Sequence, residues 1–170
     1  MGGVTARRCC HTGQSLVEFS VVVSAFVILL FAAVSAAFHS VQRAMAETAA
    51  ATGIQIAASA PATCAPQPCK PDPTQADMQG AIAPTEQVLR STMFGTRIGQ
   101  PSGGVGVQCD PLGSIPQATL QVCVYPDPAT AGMVEETVRG HPAYLVPFLS
   151  QWLPWSIDVT LEMHQVGYQP

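Results

Sequence analysis

The sequence predicts an α+β protein in which one long N-terminal transmembrane/amphipathic helix packs on a small antiparallel β-sheet. Three observations predict it. The stretch from Phe19 to Phe38 carries no charge, neither Gly nor Pro occurs between Gln14 and Gly53, and the C-terminal part contains runs in which apolar and polar residues alternate. Composition agrees with this division. Charged residues make up 11% of the 170-residue chain and hydrophobic ones 48%, against about 25% charged in an ordinary soluble domain, so the surplus apolar mass has to be concentrated somewhere. A formal net charge of -4 provides no basic field for phosphates, which argues against nucleic acid as a partner.

The apolar mass is concentrated in FSVVVSAFVILLFAAVSAAF, Phe19 to Phe38. At 1.5 Å per residue about 20 residues cover roughly 30 Å, the hydrocarbon thickness of a bilayer. Arg7 and Arg8 precede it with no acid before Glu18, so the positive-inside rule places the N-terminus in the cytoplasm and the rest outside. A cleaved secretory signal is the alternative, since Ala33 to Ala37 supplies small residues. However, such apolar cores run about 7 to 15 residues and do not open on a carboxylate such as Glu18. The helix should continue past the membrane. Phe38, Val41, Met45, Ala49, Thr52 and Ile56 recur every three or four residues, which predicts an amphipathic extension over 39–59 packed against an outer domain, with Pro61 ending it.

Immediately before the span the sequence reads Gly13-Gln14-Ser15-Leu16-Val17-Glu18-Phe19 behind a short basic leader. A basic leader, a glycine, four residues and then a glutamate opening a long apolar helix resembles the type IV prepilin signal. With a single small outer domain, the chain is most similar to the TadE-like minor pilins, or pseudopilins, of tight-adherence (Flp-type) pilus systems. The resemblance implies a leader of residues 1–13 removed by a prepilin peptidase after Gly13, with Gln14 as the mature N-terminus and Glu18 as an assembly residue. Major pilins usually have Phe where this chain has Gln14. It also implies residence in the bacterial cytoplasmic membrane and then in a pilus, with other pilin subunits and the membrane assembly platform as partners.

Glu18 also makes physical sense in that role. A carboxylate at the edge of an apolar span costs about 2.5 to 3.5 kcal/mol on insertion scales, so it is normally paired or functional. The α-amino group freed at Gln14 would be cationic at neutral pH and can lie near Glu18 of a neighbouring subunit. Without a partner, Glu18 would simply reach the cytoplasmic headgroups.

Beyond residue 59 the outer domain should occupy 60–170. Six prolines between Pro61 and Pro84 read as a Pro-rich linker over 60–84. Thr85 to Phe94 then predicts a short helix with Val88, Leu89, Thr92 and Met93 on one side, stopped by Gly95. Gly99 to Gly104 reads as a loop. Val105 and Val107, then Leu120, Val122 and Val124, alternate with polar or small neighbours on either side of Asp110-Pro111-Leu112-Gly113, predicting a hairpin. A helical stripe of Tyr144, Leu145, Phe148, Leu149 and Trp152 follows, with Pro147 opening the helix proper. The clearest strand is the last, in which Trp155, Ile157, Val159, Leu161 and Met163 face one way and Ser156, Asp158, Thr160, Glu162 and His164 the other.

Candidate chemistry is sparse. Asp158, Glu162 and His164 share a strand face at alternate positions, but so does the solvent side of any half-buried strand, and no second ligand pair or nucleophile motif accompanies them. Gly103, Gly104 and Gly106 lack the Lys-Ser/Thr of a phosphate loop. Neither a cofactor nor an enzymatic activity is expected. Of the six cysteines, Cys9 and Cys10 lie in the leader on the reducing side, whereas Cys64, Cys69, Cys109 and Cys123 fall outside, where thiols oxidise. Two disulfides are expected there, and three connectivities are open. Cys64 with Cys69 is the local choice, leaving Cys109 with Cys123, although a regular hairpin would aim the latter two to opposite faces unless a bulge intervenes. The expected function is assembly of a pilus or secretion pseudopilus. The alternative is a secreted or membrane-anchored disulfide-bonded binding domain.

Overall fold

A computed structural model describes residues 11–59, 75–127, 129–130, 132–144 and 155–165. The fold is α+β: two helices, α1 (His11–Ser59) and α2 (Gln75–Thr92), and four strands, β1 (Arg97–Gly99), β2 (Thr119–Pro126), β3 (Met133–His141) and β4 (Ile157–His164). The chain forms two compact units, Met1–Ala37 and Phe38–Pro170. In the first, α1 is apolar all round and its side chains stand exposed, Phe19 at 70%. Ser20 and Ser24 donate their hydroxyls to Val17 O and Ser20 O, both at 2.8 Å, so their polarity is satisfied within the helix, as a lipid environment requires. The helix is long and apolar enough to cross a membrane.

In the second unit the face that α1 buries differs from the predicted stripe. Gln42, Ala46, Ala49, Ala50, Gly53, Ile54, Ala57 and Ala58 are buried, whereas Val41, Met45 and Ile56 remain exposed. Small side chains let the helix backbone approach its neighbours closely, and this outweighs the larger transfer energy of the bulky stripe. The structure also corrects the linker: α2 starts at Gln75 and carries Pro84 inside it. A mid-helix proline costs about 3 kcal/mol. Burial of Met78, Ala81, Ile82, Leu89 and Met93 offsets that cost, and the carbonyl displaced by the ring belongs to Gly80, around which the space is open. Leu89 and Met93 are buried, as the shorter predicted helix required, with Val88 packed against the same core.

The sheet has the order β1-β2-β3-β4. It is mixed rather than wholly antiparallel, because the short β1 runs parallel to β2, while β2–β3 and β3–β4 are antiparallel. Its inner face is built from cross-strand rows: Leu120, Gly140 and Ile157; Val122, Val138 and Val159; Val124, Glu136 and Leu161. β4 has the predicted alternation, with Ile157 and Val159 buried and Asp158 and Thr160 exposed. The predicted strand over 105–108 is instead a turn-rich loop, because Gly104 and Gly106 adopt positive φ (86° and 82°), incompatible with an extended strand. β3 and β1 were not predicted. The helical stripe beginning at Tyr144 falls mostly on 145–154, outside the described residues.

Candidate functional site

The N-terminal motif lies on the first turns of α1. Gly13 and Gln14 are in its opening turn, so the helix begins inside the predicted leader rather than at Ser15. Glu18 is exposed, one turn above Gln14. The span between Phe19 and Phe38 follows without interruption. What this arrangement offers chemically is a single carboxylate at the start of an otherwise apolar rod.

On the outer face of the sheet, Cys109 and Cys123 are bonded, with Cα atoms 5.5 Å apart. The parity objection disappears because Cys109 lies in the loop and not in a strand. The loop is also tied to β2 beside the bridge: Asp110 N donates to Gln121 Oε1 at 2.9 Å and Gln121 Nε2 to Asp110 Oδ2 at 2.7 Å. Ser102 adds two bonds to the same carboxylate oxygen, from its N at 3.2 Å and its Oγ at 2.9 Å. The Gln121 bond first, and Ser102 next, hold the Asp110 carboxyl below its ordinary range. Cys64 and Cys69, like Cys9 and Cys10, lie outside the described residues. Of the strand acids, Asp158 is engaged by Arg139, Nη2 to Oδ2 at 3.0 Å, which makes it part of an ion pair. Among the described residues no three His, Cys, Asp or Glu side chains are grouped to hold a metal.

No protein-family model, curated protein or solved structure matches this chain.

The most unusual chemistry in the outer domain was not apparent from sequence. Glu136 on β3 is fully buried, 0% exposed, where α1, α2 and the sheet meet. The Thr85 hydroxyl of α2 donates to its Oε1 at 2.6 Å and also lies 3.3 Å from Ala49 O and from Ala81 O. Oε2 has no partner among the described residues. On α1 the facing residue is Gly53, where a Cβ would collide with Thr85 Oγ1 and both carboxyl oxygens. Burial pushes the Glu136 carboxyl up to about 8, against the opposing pull of the Thr85 bond, so it is neutral at pH 7. A protonated Glu136 can donate to Thr85 and leave that hydroxyl for a helix carbonyl, so one proton orders both groups. The only sequence signal is a carboxylate at the inward parity of Val134, Val138 and Gly140.

Proposed function

We propose that this chain is a minor pilin of the TadE-like kind, processed after Gly13, held in the membrane by Phe19 to Phe38, and acting by assembly with other pilin subunits rather than by catalysis. The observation that carries this reading is the continuity of α1. One unbroken helix, His11–Ser59, is exposed and apolar in its first part and supplies buried core residues from Gln42 to Ala58 in its second. Such a helix serves as both anchor and packing rod. The exposed Val41, Met45 and Ile56 extend its outward apolar character beyond the span, as a surface available to neighbouring subunits.

Glu18 supplies the register in this reading. An amine about 4 Å from its carboxylate attracts it by roughly 4 kcal/mol at an effective dielectric near 20. That is comparable with the insertion penalty of about 3 kcal/mol, before desolvation of the amine is subtracted. The net pair energy is small, but an unpaired carboxylate in lipid is disfavoured, which selects one axial offset between helices. Glu18→Leu should therefore give a stable, cleaved, membrane-resident protein that no longer co-purifies with sheared pili or partner pilins. Undiminished co-purification would refute the role of Glu18.

A further inference from the structure

The end of the membrane span belongs to the globular unit, since that unit begins at Phe38. Whatever touches α1 just after Phe38 is therefore fixed at the level where the helix leaves the hydrocarbon. The His39 ring lies against Trp155, with centroids 4.8 Å apart, and Tyr144 stacks on the same indole at 5.8 Å. Trp155 N donates to the Tyr144 hydroxyl at 2.6 Å. One turn further along α1, Gln42 Nε2 donates to Ala143 O at 3.1 Å and pins this segment to the helix.

α2 brings another aromatic residue to the same end. Its Thr85 lies beside Ala49 and Gly53, while Thr96, just past its C-terminus, accepts from Ala143 N at 2.9 Å, the residue that Gln42 also holds. α2 thus runs back along α1 toward the span. Phe94, between α2 and Thr96, is 83% exposed. Nine residues below Thr85 at 1.5 Å each is about 13 Å, which puts Phe94 near the level of Gln42, about 6 Å above Phe38. The headgroup zone on each side of a bilayer is about 5 to 7 Å deep. Phe94, Tyr144 and Trp155 fall within it, where amphipathic rings are favoured and a bare Phe is better accommodated than in water.

We propose that Phe94, Tyr144 and Trp155 form an aromatic collar that seats the outer domain in the headgroup layer of the outer leaflet. This rests on the membrane-spanning reading of α1, and commits to lipid as the partner of these rings. The collar fixes how far the domain stands from the membrane before a subunit leaves it.

The test uses the full chain in phosphatidylcholine–phosphatidylglycerol vesicles containing lipids nitroxide-labelled at the headgroup, the upper chain or the chain terminus. Trp152→Phe leaves Trp155 as the reporter, and Phe94→Trp with Trp152→Phe and Trp155→Phe reports the second site. Both should be quenched more strongly by shallow labels than by terminal ones, by roughly twofold for rings held in the interface. Phe26→Trp, with both native tryptophans replaced by Phe, should be quenched most by the chain-terminal label. If Phe26→Trp is quenched but the two collar reporters respond to no lipid label, or respond most to the deepest, the collar is overturned and the span stands. If Phe26→Trp is not quenched either, the span and the collar both fall.

Discussion

Replacing Glu136 with Gln should remove a pH dependence that is otherwise built into the outer domain. The Glu136 carboxyl titrates at about 8 when folded, against an ordinary 4.5, a difference worth about 5 kcal/mol at most. Because the folded value is the raised one, the stabilising contribution is fully present below pH 4.5. It declines as pH rises from there to about 8, and is lost above that. Small domains have a total stability of about 5 to 15 kcal/mol, so the domain should be visibly weaker at pH 9 than at pH 5. The facing groups do not titrate: Gly53 on α1, Thr85 on α2, Val124 on β2 and Leu161 on β4. Urea unfolding of the full chain in detergent micelles, followed by tryptophan emission between pH 4.5 and 9.5, measures the slope. Glu136→Gln keeps the shape and a partner for Thr85, so its profile should be flatter by most of that difference. His39, His141 and His164 contribute equally to both proteins and cancel in the comparison. Parallel profiles for the two proteins would refute the buried-acid reasoning.

Two other substitutions probe the same architecture. Gly53→Ala places a methyl group against Thr85 and Glu136 and should cost about 1 to 3 kcal/mol as overpacking, read as a lowered urea midpoint. Cys109→Ser with Cys123→Ser opens a bridge spanning 14 positions and should cost about 3 kcal/mol in the oxidised protein. Non-reducing peptide mapping should recover the Cys109–Cys123 linkage in the unsubstituted chain, and its absence would contradict the fold of the 100–118 loop.

The parts of the fold that could be read from sequence were those where one physical signal acted alone. The uncharged run after Glu18 and the strict alternation of β4 had no competing pattern. β3 was hidden because its inward row places Glu136 between Val134 and Val138, breaking the apolar alternation at the position of greatest chemical interest. The valines at 105 and 107 imitated a strand whose intervening glycine turns the backbone to positive φ. Pro84 concealed the first half of α2, since its local penalty is decided by packing that only the tertiary structure supplies. The buried stripe of α1 was misjudged for a related reason: hydrophobic size predicts which side chains gain most from burial, whereas the alanines and Gly53 show how close the backbones come. Gly13, Gln14 and Glu18 depended on motif and hydropathy alone, and no packing geometry could add to them.

The central claim is that the chain is processed as a prepilin, and intact-mass and N-terminal sequencing of the protein recovered from cell envelopes tests it most directly. The account predicts a mature chain starting at Gln14, and full-length precursor accumulating in the membrane when Gly13 is replaced by Leu. A native chain that retains residues 1–13, a start near Phe38, or unchanged processing of Gly13→Leu would contradict it.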